Sequence, residues 1–126
     1  MLDREAIFAA DDIKRVPVPT PEWGGTVNVQ TMTGTARDEY EQTLFGSKTG
    51  DRIRNVRATL LAFCVVDDDG KLLFRPEDIE ELGGKNAAVL SRLFEAAQDV
   101  NKLTDGDVEE LAGNSEADPS DDSTSD

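Results

Sequence analysis

The stretch from residue 85 to 103, KNAAVLSRLFEAAQDVNKL, does most to decide the fold. Apolar residues recur in it at the three- and four-residue spacing that places side chains on one face of a helix. The apolar face is formed by Leu90, Leu93, Ala97 and Val100, and the polar face by Arg92, Glu95, Gln98 and Asp99. We therefore predict one long amphipathic helix that packs against the core of a mainly α, single compact helical domain.

Further helices are predicted on the amino-terminal side of this one. The first covers residues 35–46, with Thr35 as its cap and Tyr40 on its inner face. The second covers residues 51–66, where the apolar positions widen until the last turns are apolar nearly all round. We expect this second segment to be the central core helix. Pro76, a residue favoured at first helical positions, opens a short helix after it.

The segment before these helices predicts a small N-terminal β hairpin. In IKRVPVPTP, residues 13–21, the prolines remove backbone donors, so this piece can only be an extended edge or a polyproline-like strap. The glycine pair at 24–25 permits a tight turn. In TVNVQ, residues 26–30, polar and apolar side chains alternate, which places Val27 and Val29 on the inward face.

Charge and composition exclude several functional classes. The 126 residues include 13 Lys and Arg against 27 Asp and Glu and no histidine, a net charge of -14. A surface of this sign repels nucleic acid and anionic lipid, so we expect neither as a partner. Residues 113–126 contain no apolar side chain larger than alanine. We predict that they form a disordered acidic C-terminal tail behind a domain of residues 1–112.

No catalytic, cofactor or metal site can be assembled from the residue pattern. Cys64 lies in an apolar run and is interpreted as a buried thiol. The acidic run Asp67–Asp69 is followed by glycine, as in a calcium loop. With that glycine in sixth place, Val65 would stand first and Pro76 twelfth, and neither can bind a cation. The sequence therefore predicts a protein that is not an enzyme and carries no cofactor.

Aromatic and helical apolar residues are the candidates for partner binding. Trp23 either closes the hairpin onto the helices or is exposed as an anchor for a partner. The apolar stripe of the long helix is either core or part of a docking surface. Both alternatives stay open at the level of sequence. The candidate set is Trp23, Tyr40, Phe45, Leu90, Leu93 and Phe94.

Two segments carry a resemblance to a known family. They are VPVPTPEWGGTVNVQTMTGTARDEYE at residues 16–41 and RATLLAFCVVDDDGKLLFRPEDIEELGGKNAAVLSRLFEAAQDVNKL at residues 57–103. Their motifs, in this order, resemble the tail assembly chaperone family of long-tailed, siphovirus-like bacteriophages and prophages. The resemblance covers about residues 2–114, and the acidic tail is not part of it.

The resemblance implies a largely helical, non-enzymatic protein in the host bacterial cytoplasm. Such proteins bind the tape measure protein, help to recruit tail tube (major tail) subunits, and are absent from the mature virion. Self-association and a frameshifted, longer product are left open. The alternative is a structural head-tail connector or tail terminator, although such ring proteins are usually rich in β structure. A nucleic-acid mimic is supported by charge alone.

Overall fold

The computed structural model of this chain describes residues 1–46 and 54–111. Its α-helices are α1 (Arg4–Ala9), α2 (Gly34–Gly46), α3 (Val56–Ala62), α4 (Ile79–Gly83), α5 (Ala87–Asn101) and α6 (Asp105–Leu111). Its strands are β1 (Arg15–Thr20), β2 (Gly25–Gln30) and β3 (Val65–Val66), and single 3-10 turns cover Pro21–Trp23 and Pro76–Asp78. The fold is therefore mainly helical with one small sheet.

The three strands form an antiparallel sheet in the order β1-β2-β3. Val16 of β1 pairs with Val29 of β2, which in turn pairs with Val65 of β3. The predicted hairpin is confirmed, and the proline-containing strand lies at the edge, where missing backbone donors are tolerated. Val29 is fully buried and Val27 packs partly against the core, as the alternation predicts.

Helix α5 is the element around which the fold is organised. It packs against α3, β1 and β2. Its predicted apolar face is confirmed, because Leu90, Leu93 and Ala97 are buried. Gln98, which the sequence placed on the polar face, is also buried. Its Nε2 donates a hydrogen bond to Asp105 at 2.9 Å, and this bond offsets the loss of contact with water.

The predicted second helix is shorter than expected. All residues of α3 from 58 to 62 are buried, which confirms its central place in the core. The helix ends at Ala62, and the N–H groups of Phe63 and Cys64 donate to carbonyls three residues back, which tightens the last turn. Val65 and Val66 then leave the helix and pair with β2, since β-branched side chains favour strands.

Helix α2 starts one residue before its predicted start. Thr33, and not Thr35, caps it, because the Ala36 N–H donates to the Thr33 hydroxyl oxygen at 3.0 Å. Tyr40 lies on the buried face, as predicted, and Leu44 is buried beside it.

Several predictions fall outside the described residues. These are the start of the second helix at residues 51–53 and the acidic tail at residues 113–126. The domain boundary at residue 112 stays a prediction for the same reason. Across residues 1–46 and 54–111, no helix is both long enough and apolar enough to cross a membrane.

Candidate partner-binding surface

The turn of the hairpin fixes the position of Trp23. Gly24 adopts a left-handed conformation with φ of 85°, and its N–H donates to the Pro21 carbonyl at 3.0 Å. The buried Thr20 hydroxyl donates to the Gly25 carbonyl at 2.7 Å and closes the base of the turn. Trp23 is therefore held at one end of the sheet, half-buried against the core.

An ion pair ties this turn to helix α5. Arg92 donates from Nη1 to Oε1 of Glu22 at 2.9 Å and from Nη2 to Oε2 at 2.8 Å. Its Nη1 also donates to the Pro19 carbonyl at 3.2 Å. These hydrogen bonds from Arg92 are the main reason why the pKa of Glu22 is lowered to about 2. The geometry is bidentate, so it fixes the orientation of the turn as well as its position.

A groove of about 510 Å³ opens beside Trp23, and we name it the Trp23 groove. It is lined by Trp23, Leu73, Phe74, Asp78, Glu81, Leu82 and Lys85. Leu82 is buried at its base, whereas the Leu73 side chain is 53% exposed. The Leu73 backbone is fixed by a hydrogen bond from its N–H to the Val65 carbonyl at 3.1 Å. The groove thus presents apolar side chains next to charged ones.

The lining of the Trp23 groove carries two acidic side chains, Asp78 and Glu81, and one basic side chain, Lys85. The segment PEDIEEL at residues 76–82 holds four carboxylates and no base. Glu77 lies 3.5 Å from Arg75, and Glu80 lies 3.7 Å from Arg54. Both pairs are largely exposed and therefore weak. Asp78 accepts a hydrogen bond from the Arg75 N–H at 2.9 Å. Within the described part of the chain, Glu81 and Lys85 form no ion pair.

Two further apolar features lie outside the groove. Helix α1 buries none of its residues, and Ile7 and Phe8 on it are 55% and 74% exposed. The guanidinium of Arg4 lies 5.0 Å from the centre of the Phe8 ring. On α5, the half-buried Phe94 ring lies 5.9 Å from the guanidinium of Arg57. Both distances fall in the range of cation–π contacts.

The structure separates the predicted partner-binding residues into two groups. Trp23 and Phe94 are half-buried and reach the surface. The other three, Tyr40, Leu90 and Leu93, are buried in the core. A partner therefore contacts the residues that cover them and does not contact these three directly. Phe45 lies in α2, and its side chain is outside the described part of the chain.

Sequence reasoning missed Leu73, Phe74 and Leu82 as surface or groove residues. The signal was present in LLF at residues 72–74, a short apolar run between an acidic turn and a helix start. A run of three residues does not show whether its side chains face the core or the solvent, because that depends on packing between distant segments.

The acidic turn after β3 has a structural explanation. Oδ1 of Asp67 accepts from the N–H group of Lys71 at 3.0 Å and from that of Asp69 at 2.8 Å, and these hydrogen bonds, chiefly the one from Lys71, lower the pKa of Asp67. Cys64 is fully buried, and burial raises its pKa to about 12, so it is a neutral thiol. Among the described residues, no group of three or more metal-ligating side chains comes together.

No protein-family model and no curated protein matches this sequence. The structure, however, matches the solved structure of the bacteriophage HK97 tail assembly chaperone with a TM-score of 0.54. The chain shares the fold of that tail assembly chaperone. The two sequences are 22% identical, and the match covers 80% of this chain and 95% of the HK97 chain. The family resemblance seen in the sequence is thereby confirmed at the level of the fold.

Proposed function

We propose that this chain is a tail assembly chaperone of a long-tailed bacteriophage or prophage. In this role it binds the tape measure protein, helps to recruit tail tube subunits, and is absent from the mature virion. The observation that carries the proposal is the fold shared with the HK97 tail assembly chaperone over 95% of that chain. The motif order at residues 16–41 and 57–103 supports it independently of the coordinates.

The surface of the chain suits this role physically. A chaperone for a long, aggregation-prone client must offer apolar area, because covering apolar surface contributes about 25 cal/mol per Å². The Trp23 groove offers such area. The complex must also stay in solution, and a net charge of -14 opposes association between copies of the complex through repulsion.

We further propose which candidate residues contact the partner directly. Trp23 and Phe94 reach the surface and can each give a partner an aromatic contact, the kind that often dominates binding energy. Leu90 and Leu93 act beneath them by holding α5 in place. Tyr40 acts in the same indirect way from α2, where it packs against Phe63 in the core, and Phe45 belongs to the same proposal on α2.

The proposed mechanism is stoichiometric binding without catalysis. The chain covers apolar segments of the client inside the host bacterial cytoplasm until tail tube subunits replace it. Asp67 and Cys64, the two side chains that the sequence singled out for possible chemistry, both have structural roles, Asp67 in a turn and Cys64 in the core.

Co-expression with the tape measure protein tests this function. The tape measure protein of the same phage is expressed alone, with this chain, and with an unrelated acidic protein of similar size. We expect this chain, and not the unrelated protein, to raise the soluble yield of the client and to co-elute with it in gel filtration. Equal solubility in all three cases with no co-elution would contradict the proposal.

A further inference from the structure

The Trp23 groove is preorganised for an occupant. One wall is held by the bidentate Glu22–Arg92 pair, and the other by the hydrogen bond of the Leu73 N–H to Val65. Its base is the buried Leu82 of α4. Because these parts are fixed before binding, little ordering is required when a partner enters. The half-exposed Leu73 gains burial only when the groove is filled.

The sheet edges disfavour an occupant that binds as an added strand. On the β1 edge, Pro17 and Pro19 lack the N–H groups that a ladder needs. On the β3 edge, Val66 already bridges to Leu72. A groove flanked by short helical elements instead suits the apolar face of a helix.

Charge decides between the segments that could fill the groove. The charged side chains that line the groove are Asp78, Glu81 and Lys85, which leave one net negative charge. The neighbouring Glu77 and Glu80 are paired with arginines. The chain's own ends are acidic too: residues 1–12 hold four acids and one base, and residues 112–126 hold five acids and no base. Like charges disfavour both ends as occupants, whether from the same copy or a second one. A segment that carries Lys or Arg beside its apolar face has the complementary sign.

We propose that the Trp23 groove binds a cationic amphipathic helix of the partner protein, with basic side chains placed against Asp78 and Glu81. This inference rests on the proposed function and specifies the chemistry of the partner at that site. It predicts that binding depends on both apolar contact and ionic strength, since salt screens the charges of Asp78 and Glu81. It also predicts that α1 remains outside the groove.

The single tryptophan of the chain gives a direct readout, because Trp23 lines the groove. The probes are two tryptophan-free synthetic peptides of about 18 residues, long enough to form helix. They share one leucine face, and one carries lysines where the other carries glutamates. We expect the lysine peptide to change Trp23 emission saturably, and to bind about tenfold more tightly than the glutamate peptide. Equal affinity of the two peptides, or no change in emission, overturns the proposal.

Two variants test the groove and one is the control. Leu73→Asp should weaken the lysine peptide about tenfold, because the loss of leucine burial outweighs the attraction that one exposed carboxylate adds. Glu81→Lys should weaken the lysine peptide and strengthen the glutamate peptide. Phe8→Asp on α1 is the matched control and should change neither affinity by more than about twofold. Circular dichroism confirms that each variant folds, which is expected because all three side chains are exposed. Equal losses in Leu73→Asp and Phe8→Asp overturn the proposal.

A peptide of residues 1–12 tests the second-copy alternative. If it binds the groove as tightly as the lysine peptide, α1 of another copy is the occupant and the proposal falls. Failure of the inference can be told apart from failure of the function. If the tape measure protein co-elutes with Leu73→Asp and Glu81→Lys as it does with the native chain, the chaperone function stands and the groove assignment is wrong.

Discussion

Replacing Tyr40 by phenylalanine should stabilise the fold. The Tyr40 side chain is fully buried, and its hydroxyl has no hydrogen-bond partner among the described residues. Burial also raises the pKa of Tyr40 above its ordinary value, so the hydroxyl stays protonated. A buried polar group without a partner costs about 1–3 kcal/mol relative to one in water. Phenylalanine removes this group and keeps the ring.

The expected gain is about 1 kcal/mol in the free energy of unfolding, at the low end of that range because the variant leaves the space of one oxygen empty. For a domain of this size, this corresponds to a rise in Tm of about 4–8 °C. The Tyr40 ring packs edge-on against Phe63, with centroids 6.0 Å apart, and phenylalanine keeps this contact. Tyr40→Leu removes it and should lower the free energy of unfolding by about 2 kcal/mol.

Urea unfolding followed by circular dichroism measures both variants at neutral pH. An unchanged slope of free energy against urea shows that the two variants differ from the native chain in stability alone. A Tyr40→Phe variant that is less stable than the native chain would contradict the explanation, because the hydroxyl would then make a favourable contact.

Three further predictions concern the turn and the core. The pKa of Glu22 is lowered by Arg92, so the stability that Glu22 contributes is present above its ordinary pKa of 4.5 and is lost as the pH falls towards about 2. Between pH 4.5 and about 2, the urea midpoint of Glu22→Gln should therefore fall less than that of the native chain. The Cys64 pKa is raised by burial to about 12, so stability is lost as the pH rises from about 9 towards 12. Between pH 9 and about 12, the urea midpoint of Cys64→Ala should change less with pH than that of the native chain. Gly24→Ala should lower the free energy of unfolding by about 1 kcal/mol because φ at Gly24 is 85°, whereas Gly25→Ala, where an added Cβ meets open space, should change it by less than about 0.5 kcal/mol.

The parts of the fold that follow from local sequence could be predicted. Prolines at 17 and 19 confine β1 to an edge, the glycine pair at 24–25 places the turn, and the periodicity of residues 87–101 defines α5. Each of these effects acts within a few residues of its cause. Local patterns of this kind therefore predict the hairpin and the longest helix.

The parts of the fold that depend on contacts between distant segments could not be predicted from local sequence. Val65 and Val66 end an apolar run that suits a helix or a strand equally, and only pairing with β2 decides between them. Gln98 is buried because Asp105, one helix further on, accepts its hydrogen bond. The Trp23 groove lies where the hairpin turn, residues 73–74 and α4 come together, so the pattern of no single segment predicts it.

The most direct test of the chaperone function is to quantify this chain by mass spectrometry during infection or prophage induction. Its amount is measured in complexes purified through the tape measure protein and in purified mature virions. We expect it in stoichiometric amounts in the tape measure complexes and at background level in the virions. A fixed copy number in the virions, with none in the tape measure complexes, would contradict the chaperone function and support a structural connector or terminator.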